Sequence, residues 1–105
     1  MKVSYEGGSI EKLCKNPAKL RTKWGEETKD AVNQRLIELD AAESLADIFD
    51  LGYPRLHWLK GNLSGLLALN LDGSKRLIIR PNDTSIKELP LIKHTVIVRI
   101  ERDYH

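Results

Sequence analysis

Residues 55–80 read RLHWLKGNLSGLLALNLDGSKRLIIR. Turn signals at Gly61-Asn62 and Asp72-Gly73 cut this block into three short runs, 55–60, 65–71 and 75–80, dominated by leucine and isoleucine. Asp-Gly between two apolar runs is a strong hairpin signal, because glycine and aspartate tolerate the positive φ that tight hairpin turns require. Pro54 and Pro81 bound the block. Residues 94–103 are predicted as a last strand, and Lys2, Val3, Ser4 and Tyr5 alternate well enough to open the chain as another. The stretch between, 81–93, contains two prolines and mixed polar residues and reads as a loop.

Upstream of Pro54 the apolar period is close to 3.6 rather than 2, which marks helices. Ile10, Leu13, Cys14, Leu20 and Trp24 fit a helical region that Asn16-Pro17 divides, since the residue before proline avoids helical backbone. Ser9 is a candidate cap for its first piece, although Lys12 stands where a capping-box acid belongs. The clearest helix covers 26–43, with Thr28, Val32, Leu36, Leu39 and Ala42 on one face. Ser44 then caps a short helix over 45–51, whose apolar face is Leu45, Ile48 and Phe49, and Gly52-Tyr53-Pro54 stops it. Helices first and a meander afterwards define a single α+β domain over 1–105, its N-terminal helices packed on one face of an antiparallel sheet.

Strand alternation also sorts the side chains. Val96, Val98 and Ile100 form one row of the last strand, and Arg99, Glu101 and Asp103 the other. On the preceding strand Arg76 and Arg80 share a face with Ile78. The face turned away from the helices is therefore expected to be basic, carrying Arg76, Arg80 and Arg99.

Of the 105 residues 41% are hydrophobic and 30% charged, enough for one core. Apolar runs such as 66–69 and 96–98 fall far short of the roughly 20 residues of a membrane span. The first residues lack the apolar stretch of a secretion signal, and Cys14 is the lone thiol, which excludes an internal disulfide and points to a reducing cytoplasm. The net charge of +2 hides an uneven distribution: residues 1–25 carry +4, residues 26–50 carry −6 and residues 51–105 carry +4. Basic segments flanking an acidic one suit a polyanion on one side of the molecule.

His57, His94 and His105 are too scattered for a metal motif, and phosphate-loop and dinucleotide fingerprints are absent, so no metal or cofactor is expected. Cys14 sits in an apolar helical setting that suits the core. What remains suits RNA cleavage: imidazoles (His57, His105), cations (Lys60, Arg76), a phenol (Tyr104) and a carboxylate (Asp103). Attack of a ribose 2′-OH on its own 3′ phosphate needs a base, an acid for the leaving 5′ oxygen and positive charge at the phosphorane. Each of these side chains also has an ordinary alternative, as a packed, solvated or ion-paired residue.

Four pieces in order, Leu56-His57-Trp58-Leu59-Lys60-Gly61, then 65–71, then Arg76-Leu77-Ile78, then Asp103-Tyr104-His105, resemble the HigB-like toxins, or plasmid-maintenance killer proteins, of the RelE/ParE superfamily. The resemblance spans about residues 51–105 by motif. It implies a microbial-ribonuclease-type sheet and a messenger-RNA endonuclease acting on translating ribosomes without metal. It also implies a cognate antitoxin, HigA-like, with a helix-turn-helix through which alone the complex contacts operator DNA. His57 and His105 would be the acid and base pair in either order, with Asp103 and Tyr104 beside them. Lys60 and Arg76 would hold the scissile phosphate, and Lys75, Arg80 and Arg99 are further candidates for RNA or ribosome contacts. The α-carboxylate of His105 would favour the protonated ring. Two other readings accompany this one. A gyrase inhibitor resembling the ParE branch would have no chemical need of His57, Tyr104 and His105. An inactive homologue acting only as antitoxin partner and co-repressor is favoured by the neutral turn Asn62-Leu63-Ser64, where the family usually places charge.

Overall fold

The computed structural model describes residues 1–102. Strand β1 (Lys2–Tyr5) leads into four helices, α1 (Gly8–Cys14), α2 (Pro17–Trp24), α3 (Glu26–Ala41) and α4 (Leu45–Leu51). Strands β2 (His57–Trp58), β3 (Leu67–Asn70), β4 (Lys75–Pro81) and β5 (His94–Arg102) follow. The α+β class and its order, helices before a meander, are as the sequence predicts. The sheet runs β1-β5-β4-β3-β2, with β2 to β5 antiparallel and β1 added parallel to β5, so the whole is mixed.

Local chemistry sets the helix boundaries. Asn16 caps α2 by accepting from the Lys19 N–H, and Pro17 occupies the first turn, where no N–H is needed. Ser44 caps α4 by accepting from the Ala46 N–H. Ser9, expected to cap α1, lies inside it instead, and Gly7 takes the cap position without a side-chain bond. Phe49, expected on the buried face of α4, is 57% exposed, while Leu45 and Ile48 are buried.

The buried stripe of α3 is Thr28, Val32, Arg35 and Leu39, with Leu36 partly buried and Ala42 just past the helix end. Arg35 belongs to that stripe because its charge is compensated: Nε lies 2.9 Å from Glu38 Oε1, and its guanidinium sits 5.0 Å from the Tyr53 ring centre. Thr28 reaches the sheet, donating from Oγ1 to Asp72 Oδ1 at 2.6 Å in the β3–β4 turn. These helices cover a core of Leu67, Leu69, Leu77, Ile79, Ile97 and Ile100 from the sheet. Segment 82–93 is also structural in part: Ile92 is buried in that core and its carbonyl accepts from the Leu45 N–H.

The last strand departs from simple alternation. Ile78 pairs with Arg99 but Ile79 with Ile97, so Val98 is an extra residue, a β-bulge. The expected single row of Val96, Val98 and Ile100 is thereby split. Ile97 and Ile100 face the helices, while Val96 shares the opposite face with Arg99 and Glu101.

Candidate functional site

The register builds the face away from the helices row by row. His57, Ala68, Ile78 and Arg99 stand side by side across β2, β3, β4 and β5. The next row holds Asn70, Arg76 and Glu101, and on the other side Arg80, Val96 and Ser4 align. At about 4.8 Å per strand the backbones of His57 and Arg99 stand roughly 15 Å apart, with Arg76 one row along between them. Ala68, Ile78 and Val96 are buried beneath this polar layer yet lie outside the helix-side core.

Of the residues expected to act, the register thus brings His57, Arg76, Arg80 and Arg99 onto one face. Lys60 is exposed at the start of a 3₁₀ turn, Gly61–Leu63, just past β2 on the same sheet edge as His57. Lys75 is not with them: alternation turns it to the helix side, where it pairs with Asp72 at 3.1 Å. Asp103, Tyr104 and His105 lie outside the described residues.

The arginines are held by carboxylates that the sequence did not single out as site groups. Glu101 sits opposite Arg76 and accepts from its Nη2 at 2.8 Å and its Nε at 3.2 Å, while Arg99 Nε donates to the other oxygen at 2.7 Å. Burial raises the Glu101 pKa, but these hydrogen bonds and the two positive charges outweigh it and hold the carboxyl below its ordinary value. Arg80 pairs with Glu6 at 2.8 Å. The expected basic face is therefore a charge-compensated layer in which cations are preset in position. Only the register shows these pairings, because Glu101 and Arg76 are 25 residues apart and Glu6 and Arg80 are 74 apart.

His57 is fixed by its own backbone. Its Nδ1 lies 2.8 Å from the Arg55 carbonyl, which can only accept, so Nδ1 carries the proton and Nε2 holds the lone pair of the uncharged ring. Arg55 itself adopts φ 51, a left-handed conformation unusual for a residue with a Cβ, directly before β2. At the far end of the face Ser4 Oγ lies 2.7 Å from His94 Nε2. Burial, and then the charges of Lys2 and Arg80, push the His94 pKa down. A cavity of about 410 Å³ opens beside Arg99, between β5 and the first two helices, and includes neither His57 nor Arg76. Among the described residues no three His, Cys, Asp or Glu side chains converge as a metal site would require. None of the described helices is long and apolar enough to cross a membrane.

The molecule is thus an α+β protein whose helices pack on one sheet face, and the other face carries the imidazoles of His57 and His94 and three arginines. No known family model matches the sequence, and no curated protein is similar to it in sequence. Among solved structures, the chain is similar to one in the YoeB–YefM complex from Staphylococcus aureus, with 17% identity and a TM-score of 0.59 over 99% of this chain and 98% of that one. At that identity the likeness is one of fold.

Proposed function

We propose that this chain is the toxin of a toxin–antitoxin pair, a ribosome-dependent messenger-RNA endonuclease of the HigB-like kind that blocks translation in the cytoplasm. The observation that carries the reading is the register placing His57, Arg76 and Arg99 on the sheet face turned away from the helices. The motif resemblance of the second half of the chain and the fold shared with a chain of a two-protein complex both support it.

The chemistry follows from these groups. His57 Nε2, with its lone pair directed by the Nδ1–H bond to the Arg55 carbonyl, takes the 2′-OH proton or, once protonated, delivers one to the 5′ oxygen. His105 serves as the complementary group, with Asp103 and Tyr104 beside it. Arg76 and Lys60 bind the scissile phosphate and stabilise the phosphorane. Glu101 presents Arg76 at rest, and an incoming phosphate competes with it for the guanidinium. The antitoxin supplies the DNA-binding helix-turn-helix, so operator DNA is reached only through the complex.

The test is induced expression of wild type, His57→Ala, Arg76→Ala and His105→Ala, with primer extension on a translated reporter message. Wild type is expected to arrest growth and create new message ends, and each variant to lose both while remaining folded. Arrest without new ends would replace this reading with a gyrase-type inhibitor, and no arrest with an inactive partner protein.

A further inference from the structure

Five large apolar side chains are exposed among the described residues, and four of them, Ile37 (63%), Tyr53 (59%), Phe49 (57%) and Leu51 (45%), fall between positions 36 and 54. Scattered exposed leucines are ordinary, whereas clustering on one surface marks an interaction site. Here Ile37 on α3, Leu51 on α4 and Tyr53 just beyond it line an open groove of about 320 Å³ with Ala42 and Ile48 buried at its floor. The groove lies in the helix layer, away from the sheet face that carries His57 and Arg76.

Charge identifies the occupant. Residues 36–54 contain five acids, Glu38, Asp40, Glu43, Asp47 and Asp50; Arg35, 2.9 Å from Glu38, offsets the first, and the negative rim is made by the other four. Glu38 and Asp47 line the groove, and Asp40, Glu43 and Asp50 are exposed on or beside the same helices. Nucleic acid is repelled by such a rim. Two copies of this chain joined groove to groove would set acid against acid, which disfavours self-pairing.

We propose that the α3–α4 groove docks an amphipathic segment of a partner protein, with apolar side chains seated on Ile37, Leu51 and Tyr53 and flanking lysines or arginines facing the acidic rim. The mode is a helix laid into an apolar groove. It is independent of the chemistry assigned to the sheet face, so either can fail without the other.

The probe is a labelled 14-residue leucine/lysine peptide with leucines at helical spacing, set beside a scrambled isomer and a leucine/glutamate analogue, with affinity read by fluorescence anisotropy. The amphipathic basic peptide is expected to bind at least tenfold more tightly than either control. The double variant Ile37→Ser/Leu51→Ser should lose at least tenfold, and Asp40→Asn/Asp50→Asn should weaken binding several-fold and flatten its salt dependence. Both pairs are exposed, and thermal melts verify that the variants fold. Lys15→Gln, on α1, should change nothing. Equal binding of the controls, or an unchanged affinity in Ile37→Ser/Leu51→Ser, overturns the proposal. So does concentration-dependent dimerisation that this double variant abolishes, which would make a second copy the occupant.

Discussion

Arg55 illustrates how a single backbone conformation aims a candidate functional side chain. Its left-handed φ of 51° turns the chain into β2 and presents the carbonyl that orients His57. A Cβ in that region costs about 1–2 kcal/mol, partly recovered on substitution by glycine because glycine loses more freedom on folding. Arg55→Gly should therefore raise stability by about 0.5–1 kcal/mol in denaturant unfolding, with the Nδ1 bond retained. His94 gives a prediction of opposite kind. Its folded pKa lies below the ordinary 6.5, so the unfolded chain binds the extra proton first. Stability is complete above about pH 6.5 and falls as the pH is lowered through the folded value. His94→Gln should remove that loss from thermal melts in this window. The depressed Glu101 carboxyl adds a separate loss at more acidic pH, below its ordinary 4.5. Burial pushes the Cys14 thiol up to about 11, so a thiol reagent at neutral pH should label it only after unfolding. The effects at Arg55, His94 and Glu101 are not legible in sequence, since each depends on what surrounds the residue, whereas the apolar helical setting of Cys14 already points to the core.

Among the elements, the buried Arg35–Glu38 pair ties α3 to Tyr53, whose hydroxyl donates to Glu38. Removing the acid leaves a buried guanidinium without its charge partner, and Glu38→Ala should cost about 3 kcal/mol by denaturant titration. Helix starts marked by Asn16-Pro17 and Ser44 could be read from sequence because caps act locally. Arg35 could not, because an arginine counts as surface until its partner is known. The strand face of Arg76 and Arg80 was also legible, β4 alternating without interruption. The row of β5 was not, because a bulge at Val98 arises from pairing and has no marker in the strand's own residues. Glu101 was placed in the right row by alternation, yet its grip on both Arg76 and Arg99 needed the register.

At the scale of the whole molecule, the two faces differ in character. The α3–α4 part of the helix layer is acidic and carries the apolar groove, whereas the sheet presents cations preset by carboxylates. The uneven charge along the sequence foreshadowed this division, with −6 over residues 26–50, but neither the groove nor the ion pairs. The proposed phosphate-binding role of this face predicts that chemistry is lost with His57 and Arg76 while the fold survives. The most direct measurement is cleavage of a defined message on purified translating ribosomes by wild type, His57→Ala and Arg76→Ala, with the new ends mapped and their chemistry determined. Wild type should produce fragments ending in a cyclic 2′,3′-phosphate, and each variant should be slowed by about 10²–10⁴-fold. An intact message with wild type, or cleavage undiminished in both folded variants, would contradict the assignment of this face as the catalytic one.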